Sequence, residues 1–293
     1  MANVKMLSVN VRSILRSSRR AAILREITST HFDVAFIHEC FLPSRASYPD
    51  LTKEWPGPSH FSGGNACKND GIAVLFSQKL PWVIKSALDL VPGRVCVLDV
   101  DLYDLCFRFI NVYFPQNPRE RIVCLKKIEL WLCTQRFIVL GGDFNLVVDS
   151  PERDSSCLAP KQMLLAFDLR DSFREVHLSD PGYTWVGHGF YAQSRIDYFF
   201  ISRHFGIRGF QRIWISFSDH CGIMLEVSLP TTSAMASAAS RLKEIGTIRH
   251  AKRWCCLSSL LGYWAQSWTG CHSDSIPARW HSFCEPRKND RLS

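Results

Sequence analysis

Long apolar runs are missing from this 293-residue chain. Its most hydrophobic stretches, such as Phe137-Ile138-Val139-Leu140, stop far short of the ~20 residues that a helix needs to span a bilayer. Arg12 interrupts the N-terminal end before a signal-peptide core can form, so the expectation is a soluble, non-secreted protein. Paired cysteines are missing as well. There are 12 cysteines but no Cys-x-x-Cys, and Cys255, Cys256, Cys271 and Cys284 lack the spacing of a structural zinc site. Cys96, Cys106, Cys124 and Cys133 sit singly in apolar runs, where a thiol behaves as a small core hydrophobe. That usage suits the reduced interior of a cell. No internal repeat is present. With 46% hydrophobic and 21% charged residues, wholesale disorder is excluded, and the length suffices for one large α/β domain or two small ones.

The formal charge is +8, which favours anionic partners. Its distribution is uneven. Residues 231–293 carry nine Lys/Arg against four Asp/Glu, whereas residues 1–230 carry 26 against 23. The segment from Thr231 also changes character: Ser/Ala-rich, then basic as far as Lys252 and Arg253, then rich in Trp and Cys without periodicity. It reads as a basic, poorly ordered tail on a body spanning 1–230.

Within that body, short β-rich runs are bounded by Gly, Ser, Pro or Asp. Strands are predicted at Lys5–Val11, Val34–His38, Gly71–Phe76, Val95–Val100, Cys106–Tyr113, Phe137–Leu140, Tyr183–Val186, Ile196–Ile201, Phe210–Ser216 and Ile223–Leu229. Helices are predicted at Arg19–Thr28, Pro118–Cys133 and Lys161–Phe173. In the second of these, Pro118 suits a first turn and Ile122, Leu125, Ile128 and Leu132 share a face. Each sheet must bury an apolar face, so the expected fold is α/β: a four-layered sandwich of two mostly antiparallel sheets flanked by helices.

Several motifs carry chemistry. In Val139-Leu140-Gly141-Gly142-Asp143-Phe144-Asn145 a buried strand ends in glycines and then presents a carboxylate and an amide. The glycines let backbone and substrate approach closely, Asp143 suits proton abstraction or metal binding, and Asn145 suits a phosphate. Taken alone, such a string is more often an Asx turn. Ser218-Asp219-His220, a pair that alone is more often structural, offers either a carboxylate that orients an imidazole or a metal ligand beside one. Asp197, in Ser194-Arg195-Ile196-Asp197-Tyr198, lies in an apolar strand and needs a partner: His220, a metal, or Arg195 in a structural salt bridge. Asn10 and Glu39 stand near the ends of early strands. Tyr113, in Asn111-Val112-Tyr113-Phe114-Pro115, is either a core aromatic or a phosphate contact.

The series Asn10, Glu39, Tyr113, Asp143, Asn145, Asp197, Asp219 and His220, in this order over about 220 residues, resembles the endonuclease/exonuclease/phosphatase superfamily. Gly71-Ile72-Ala73-Val74-Leu75-Phe76-Ser77, Asn111 to Pro115 and Tyr183-Thr184-Trp185 are similar to its LINE-type retrotransposon endonucleases. So is the short Val186–Ser194 segment, a hairpin loop beside the DNA. The resemblance implies a DNase I-like fold and a nuclear enzyme that nicks DNA with Mg²⁺, or Mn²⁺, and leaves a 3′-hydroxyl. It implies a metal site of Glu39, Asn10 and Asp219, with Asp143 activating water, Asn145 and Tyr113 holding the phosphate, and His220, oriented by Asp197, stabilising the transition state. Thr184, Arg12 and Arg195 are expected to contact nucleic acid. The sequence departs from the family pattern at His38-Glu39-Cys40, where Gln-Glu-Thr is usual, and at Arg12, where Asn or Asp is usual. A cation at position 12 either displaces a metal or neutralises a site carboxylate, reducing activity, or binds a DNA phosphate. No reverse transcriptase follows Leu229, which suggests a truncated copy. The rival readings are an abasic-site or exonuclease III-like repair nuclease, a small-molecule phosphatase, and a catalytically silent nucleic-acid-binding remnant.

Overall fold

The computed structural model describes residues 3–42, 48–64, 70–148, 158–187 and 192–230; the expected tail, 231–293, lies outside the described residues. In chain order the elements begin β1 (Asn3–Asn10), α1 (Ser17–Ser29), β2 (Val34–His38), α2 (Tyr48–Glu54), β3 (Ser59–Ser62) and β4 (Ile72–Phe76). The middle of the chain forms β5 (Val83–Val91), β6 (Val95–Leu102), β7 (Leu105–Tyr113), α3 (Pro118–Glu129) and β8 (Phe137–Asp143). Then come α4 (Leu158–Ala166), β9 (Leu169–Asp171), α5 (Ser172–Val176), β10 (Trp185–Val186), β11 (Gln193–Ser194), β12 (Asp197–Ser202), β13 (Gly206–Ile213) and β14 (Gly222–Ser228).

Two six-stranded sheets form, ordered β13-β14-β1-β2-β4-β3 and β5-β6-β7-β8-β12-β9. The β1–β2 and β7–β8 pairs are parallel and the other sheet neighbours antiparallel. Strand periodicity explains how the sheets stack, because alternate residues face opposite sides. Val4 and Met6, Val34 and Phe36, Phe107 and Phe109, Phe137 and Val139, and Phe199 and Ile201 meet in one core between the sheets. Their neighbours point outward. Leu7, Val9, Ala35 and Ile37 pack under α1 through Ile23 and Ile27, and Ile138, Leu140 and Phe200 pack under α3 and α4 through Leu125, Ile128 and Met163. The result is the expected four-layered sandwich, and each fully buried Phe contributes about 2–3 kcal/mol of transfer free energy to it.

The structure corrects several local expectations. Lys161–Phe173 is not one helix: the chain leaves α4 through a left-handed Asp168 (φ 58°), forms the edge strand β9, and starts α5 under an Asp171 cap that accepts from the amides of Phe173 and Arg174. The strand expected at Phe210–Ser216 runs earlier, at Gly206–Ile213, because it pairs with β14 from Ser228 to Gly222. Helix α3 stops at Glu129, four residues early. Strand β5, whose outer face is exposed and carries no apolar alternation, went unread. Cys133 is exposed and Cys106 half-buried, so only Cys96 and Cys124 of the four serve as core thiols, and all four are unbridged.

Candidate active site

The inward stripes of the central strands run out of apolar residues at one end of the sandwich. β1 follows Val4 and Met6 with Ser8 and Asn10, β2 ends in His38, β7 in Asn111 and Tyr113, β8 in Asp143, and β12 begins with Asp197. Strand pairing aligns them, with Asp143 opposite both Tyr113 and Asp197, and Asn10 beside His38. The site is thus the polar continuation of the core, and Asn10, His38, Asn111, Asp143 and Asp197 are all buried.

His220 Nδ1 lies 3.0 Å from Asp197 Oδ2, and its Nε2 lies 4.0 Å from Asp143 Oδ2. Asn10 Nδ2 donates to Asp143 Oδ2 at 3.4 Å, and the Asn145 amide donates to Asp143 Oδ1 at 2.9 Å. The Tyr113 hydroxyl donates to Glu39 Oε1 at 2.8 Å, while the Arg94 guanidinium covers the Tyr113 ring at 4.3 Å. Burial, then the charge of Asp197, pushes the Asp143 carboxyl above the usual carboxylate range. Burial alone would depress His220, but the surrounding carboxylates, Asp197 and Asp143 foremost, overcome it and hold the imidazole well above its ordinary value. At neutral pH the pair therefore combines a carboxylate with raised proton affinity and an imidazolium.

Backbone strain concentrates here. Arg12 (φ 47°), Glu39 (φ 53°) and Asn145 (φ 48°) all adopt the left-handed region, which costs a residue with a Cβ about 1 kcal/mol or more and is kept where the surroundings impose it. Glu39 is imposed upon from both sides: the Ser13 amide donates to its carbonyl at 2.7 Å and the Cys40 amide donates to Gly71 O at 2.9 Å. The turn lifts the Glu39 side chain out of the alternation of β2 and onto Tyr113.

The structure brings Asn10, Glu39, Tyr113, Asp143, Asn145, Asp197, Asp219 and His220 to one end of the sandwich, with Asp219 bonded to Trp185 Nε1 at 3.2 Å and paired with Arg12 at 3.4 Å. Arg195 and Thr184, expected as nucleic-acid contacts, are placed inside the protein instead. Arg195 is 3% exposed, its guanidinium bound to both oxygens of Asp171 at 3.1 and 2.8 Å and covering the Tyr198 ring at 4.5 Å. The expected alternative, a salt bridge from Arg195 to Asp197, is replaced by the Asp197–His220 pair. Thr184 is 2% exposed, and its Oγ1 accepts from the amides of Ile196 and Asp197 at 3.1 and 3.2 Å. Thr184 therefore sets the height of Asp197. Thr184→Val keeps the shape but orphans both amides; the expected loss is about 1–3 kcal/mol in a urea titration.

Sequence reading missed two contributors. His38 Nε2 donates to Asn111 Oδ1 at 2.7 Å, and Asn111 in turn donates to Ala73 O at 2.9 Å. Burial lowers His38 to about 4, so it is a neutral bracket at neutral pH. Arg19, on α1, donates to the carbonyls of Val11, Arg12, Ser13 and Phe217, tying the loop after β1 to the segment before Asp219. Neither residue stands in a motif; the only signal for His38 was its place beside Glu39.

Among the described residues one cluster has the spacing of a metal holder, and a second set of oxygen-bearing side chains borders it at the same end of the sandwich. Asp143, Asp197 and His220 place ligand atoms within 4.8 Å of one another, but there the imidazole proton already bridges His220 and Asp197, and a metal would have to displace it. Glu39, Asn10 and Asp219 offer oxygen alone, the donor chemistry that a hard divalent ion takes. Burial first, and then the charges of Asp197 and Glu39, raise the Asp143 carboxyl, and a cation would offset that negative charge. By donor chemistry the oxygen set suits a hard divalent ion better than the Asp–Asp–His cluster does.

A six-on-six sandwich with an Asp–His pair and several carboxylates at one end has the DNase I-like fold. The chain belongs to the Endonuclease/Exonuclease/phosphatase family, whose profile matches residues 7–220. Among curated proteins it is 30% identical over 209 residues to the transposon TX1 uncharacterized 149 kDa protein of Xenopus laevis; the match covers 64% of this chain and 16% of that protein. The chain thus corresponds to a small part of that relative's length. Among solved structures it is similar to the AP endonuclease LMAP from Leishmania major (TM-score 0.64, 14% identity, 78% of this chain and 88% of that one). It is also similar to the endonuclease domain of TRAS1, a telomere-specific non-LTR retrotransposon (TM-score 0.57, 17% identity, 78% of this chain and 100% of that one). These last two likenesses concern the fold. Among the described residues no helix is long and apolar enough to cross a membrane.

Proposed function

We propose that this protein is a Mg²⁺-dependent endonuclease of retrotransposon type that nicks one strand of DNA and leaves a 3′-hydroxyl. The observation that carries the reading is the pairing of Asp143 with His220, 4.0 Å apart, with His220 held from behind by Asp197 at 3.0 Å. Buried carboxylates that raise an imidazole make a fixed cation, and a fixed cation beside a base is what attack on a phosphodiester anion requires. The transposon-encoded relative and the TRAS1 domain favour DNA over a soluble phosphoester.

In this reading Asp143 takes a proton from water as the oxygen bonds to phosphorus and the bond from phosphorus to the 3′ oxygen breaks. His220, kept cationic and oriented by Asp197, offsets the charge gathering on the phosphoryl oxygens. Tyr113 and Asn145 hold the phosphate: Asn145 spends one amide hydrogen on Phe114 O at 2.7 Å and has a second to give. Glu39, Asn10 and Asp219 would hold the metal, which when bound supplies charge neutralisation at the phosphate and stabilisation of the leaving oxygen. The body ends near residue 230, and the basic tail beyond adds phosphate contacts. Action on chromosomal DNA places the protein in the nucleus.

The test is conversion of supercoiled plasmid to nicked circle with Mg²⁺, with EDTA and Asp143→Ala as controls. Nicking that disappears in both controls is expected. Folded protein that leaves the plasmid intact would refute the proposal, and incision confined to plasmid carrying abasic sites would replace it with a repair nuclease.

A further inference from the structure

Asp219 is already occupied. Its Oδ2 accepts from Trp185 Nε1 at 3.2 Å, and its Oδ1 stands 3.4 Å from Arg12 Nη1. The Arg12 backbone is held rigidly: its φ is 47°, its amide donates to Asn10 Oδ1 at 3.2 Å, and its carbonyl accepts from Arg19 at 3.3 Å. The same Arg19 guanidinium binds Phe217 O at 3.2 Å, so the Arg12 loop and the segment leading into Asp219 are stitched together. The Arg12 side chain, by contrast, is 50% exposed. A fixed backbone with a movable guanidinium, set on a carboxylate of the oxygen-donor group, has two natural anions within reach: Asp219 and a phosphate.

Resting on the reading above, we propose that Arg12 is a resident counter-cation. It neutralises Asp219 while no divalent ion is bound, and when an ion takes Asp219 it turns to the phosphate of the DNA strand. The exchange follows from charge: a guanidinium and a divalent ion competing for one carboxylate repel each other, and the released guanidinium is left facing the place where DNA brings negative charge. Arg12 thereby couples the two binding events, weakening metal binding in the free protein and strengthening DNA binding once metal is present.

The test uses the full chain carrying His220→Ala, so that cutting is slow enough for binding to be read first. Mn²⁺ is titrated by calorimetry without DNA, and the affinity for a duplex oligonucleotide is measured in Mg²⁺ over a range of salt. Asparagine tolerates the left-handed backbone at position 12, so Arg12→Asn preserves the loop. Adding it is expected to tighten Mn²⁺ about fivefold, the upper range for an exposed ion pair, and to make the salt slope of DNA binding shallower by about one. Arg12→Lys, which keeps the charge, is expected to restore the steeper slope. Unchanged Mn²⁺ affinity or an unchanged slope in Arg12→Asn would overturn the proposal. A chain with Arg12 intact that binds no Mn²⁺ at all would instead overturn the metal site itself.

Discussion

His220→Ala is expected to slow plasmid nicking by two to three orders of magnitude while leaving the affinity for uncut DNA within about threefold. On the function proposed above, what is removed is a preorganised cation that stabilises charge appearing only in the transition state; deleting one such group costs about 10²–10³ in rate. The specificity of the effect follows from position. His220 is 7% exposed and points inward, its ring bound to Asp197 and directed at Asp143, so it has little contact to lose with DNA in the ground state. The substitution also leaves Asp197 buried without its partner. Asp197→Asn is the companion variant: it keeps the shape and a hydrogen-bond partner for the ring but removes the charge that holds it cationic, and should cost less than His220→Ala. A gel-shift measurement beside the nicking assay separates the outcomes. Loss of binding in proportion to rate would show His220 to be a ground-state contact, and a rate within tenfold of the unaltered protein would remove it from the chemistry.

Gly142→Ala is expected to cost at least about 3 kcal/mol of stability, enough to leave a marginal domain largely unfolded. The residue sits at φ 135°, and a Cβ there would lie 1.9 Å from Val112 O and 2.9 Å from His38 Nε2. Val112 is its partner across the β7–β8 pair, so the clash is with sheet backbone, which cannot step aside without parting the two strands that carry Tyr113 and Asp143. Backbone conformation and steric overlap act together, unlike most surface glycine changes. Gly209→Ala is the control: no atom lies within 4 Å of its added Cβ, and the change should stay within about 0.5 kcal/mol. Urea titration followed by far-UV circular dichroism checks both. A midpoint for Gly142→Ala near that of the unaltered protein would mean that the β8 end can rebuild, and the account of its paired glycines would fail.

Much of this was legible in the residues because the relevant signals are local. The β-rich runs bounded by turn residues located β2 to the residue and most other strands to within one to three, and the Gly-Gly-Asp string placed Asp143 at a strand end. Errors gathered where no period exists. β5 shows no alternation, and the single helix expected at Lys161–Phe173 was broken by a left-handed Asp168 and the capping side chain of Asp171, both of which answer to tertiary neighbours. The eight residues read as catalytic or metal-binding come to one end of the sandwich because each ends or borders an inward stripe.

Short stretches of chain suffice for the sandwich and for the inventory of candidate site groups, since β-rich runs, turn glycines and isolated polar residues at strand ends are local properties. Only the tertiary structure decided who pairs with whom. Arg195 turned to Asp171, Thr184 to the amides of Ile196 and Asp197, His38 to Asn111, and Arg12 to Asp219. Each of these choices is made by strand order and by loops meeting across the end of two sheets. Side chains 207 positions apart, as Arg12 and Asp219 are, become neighbours through a packing arrangement that no local pattern encodes.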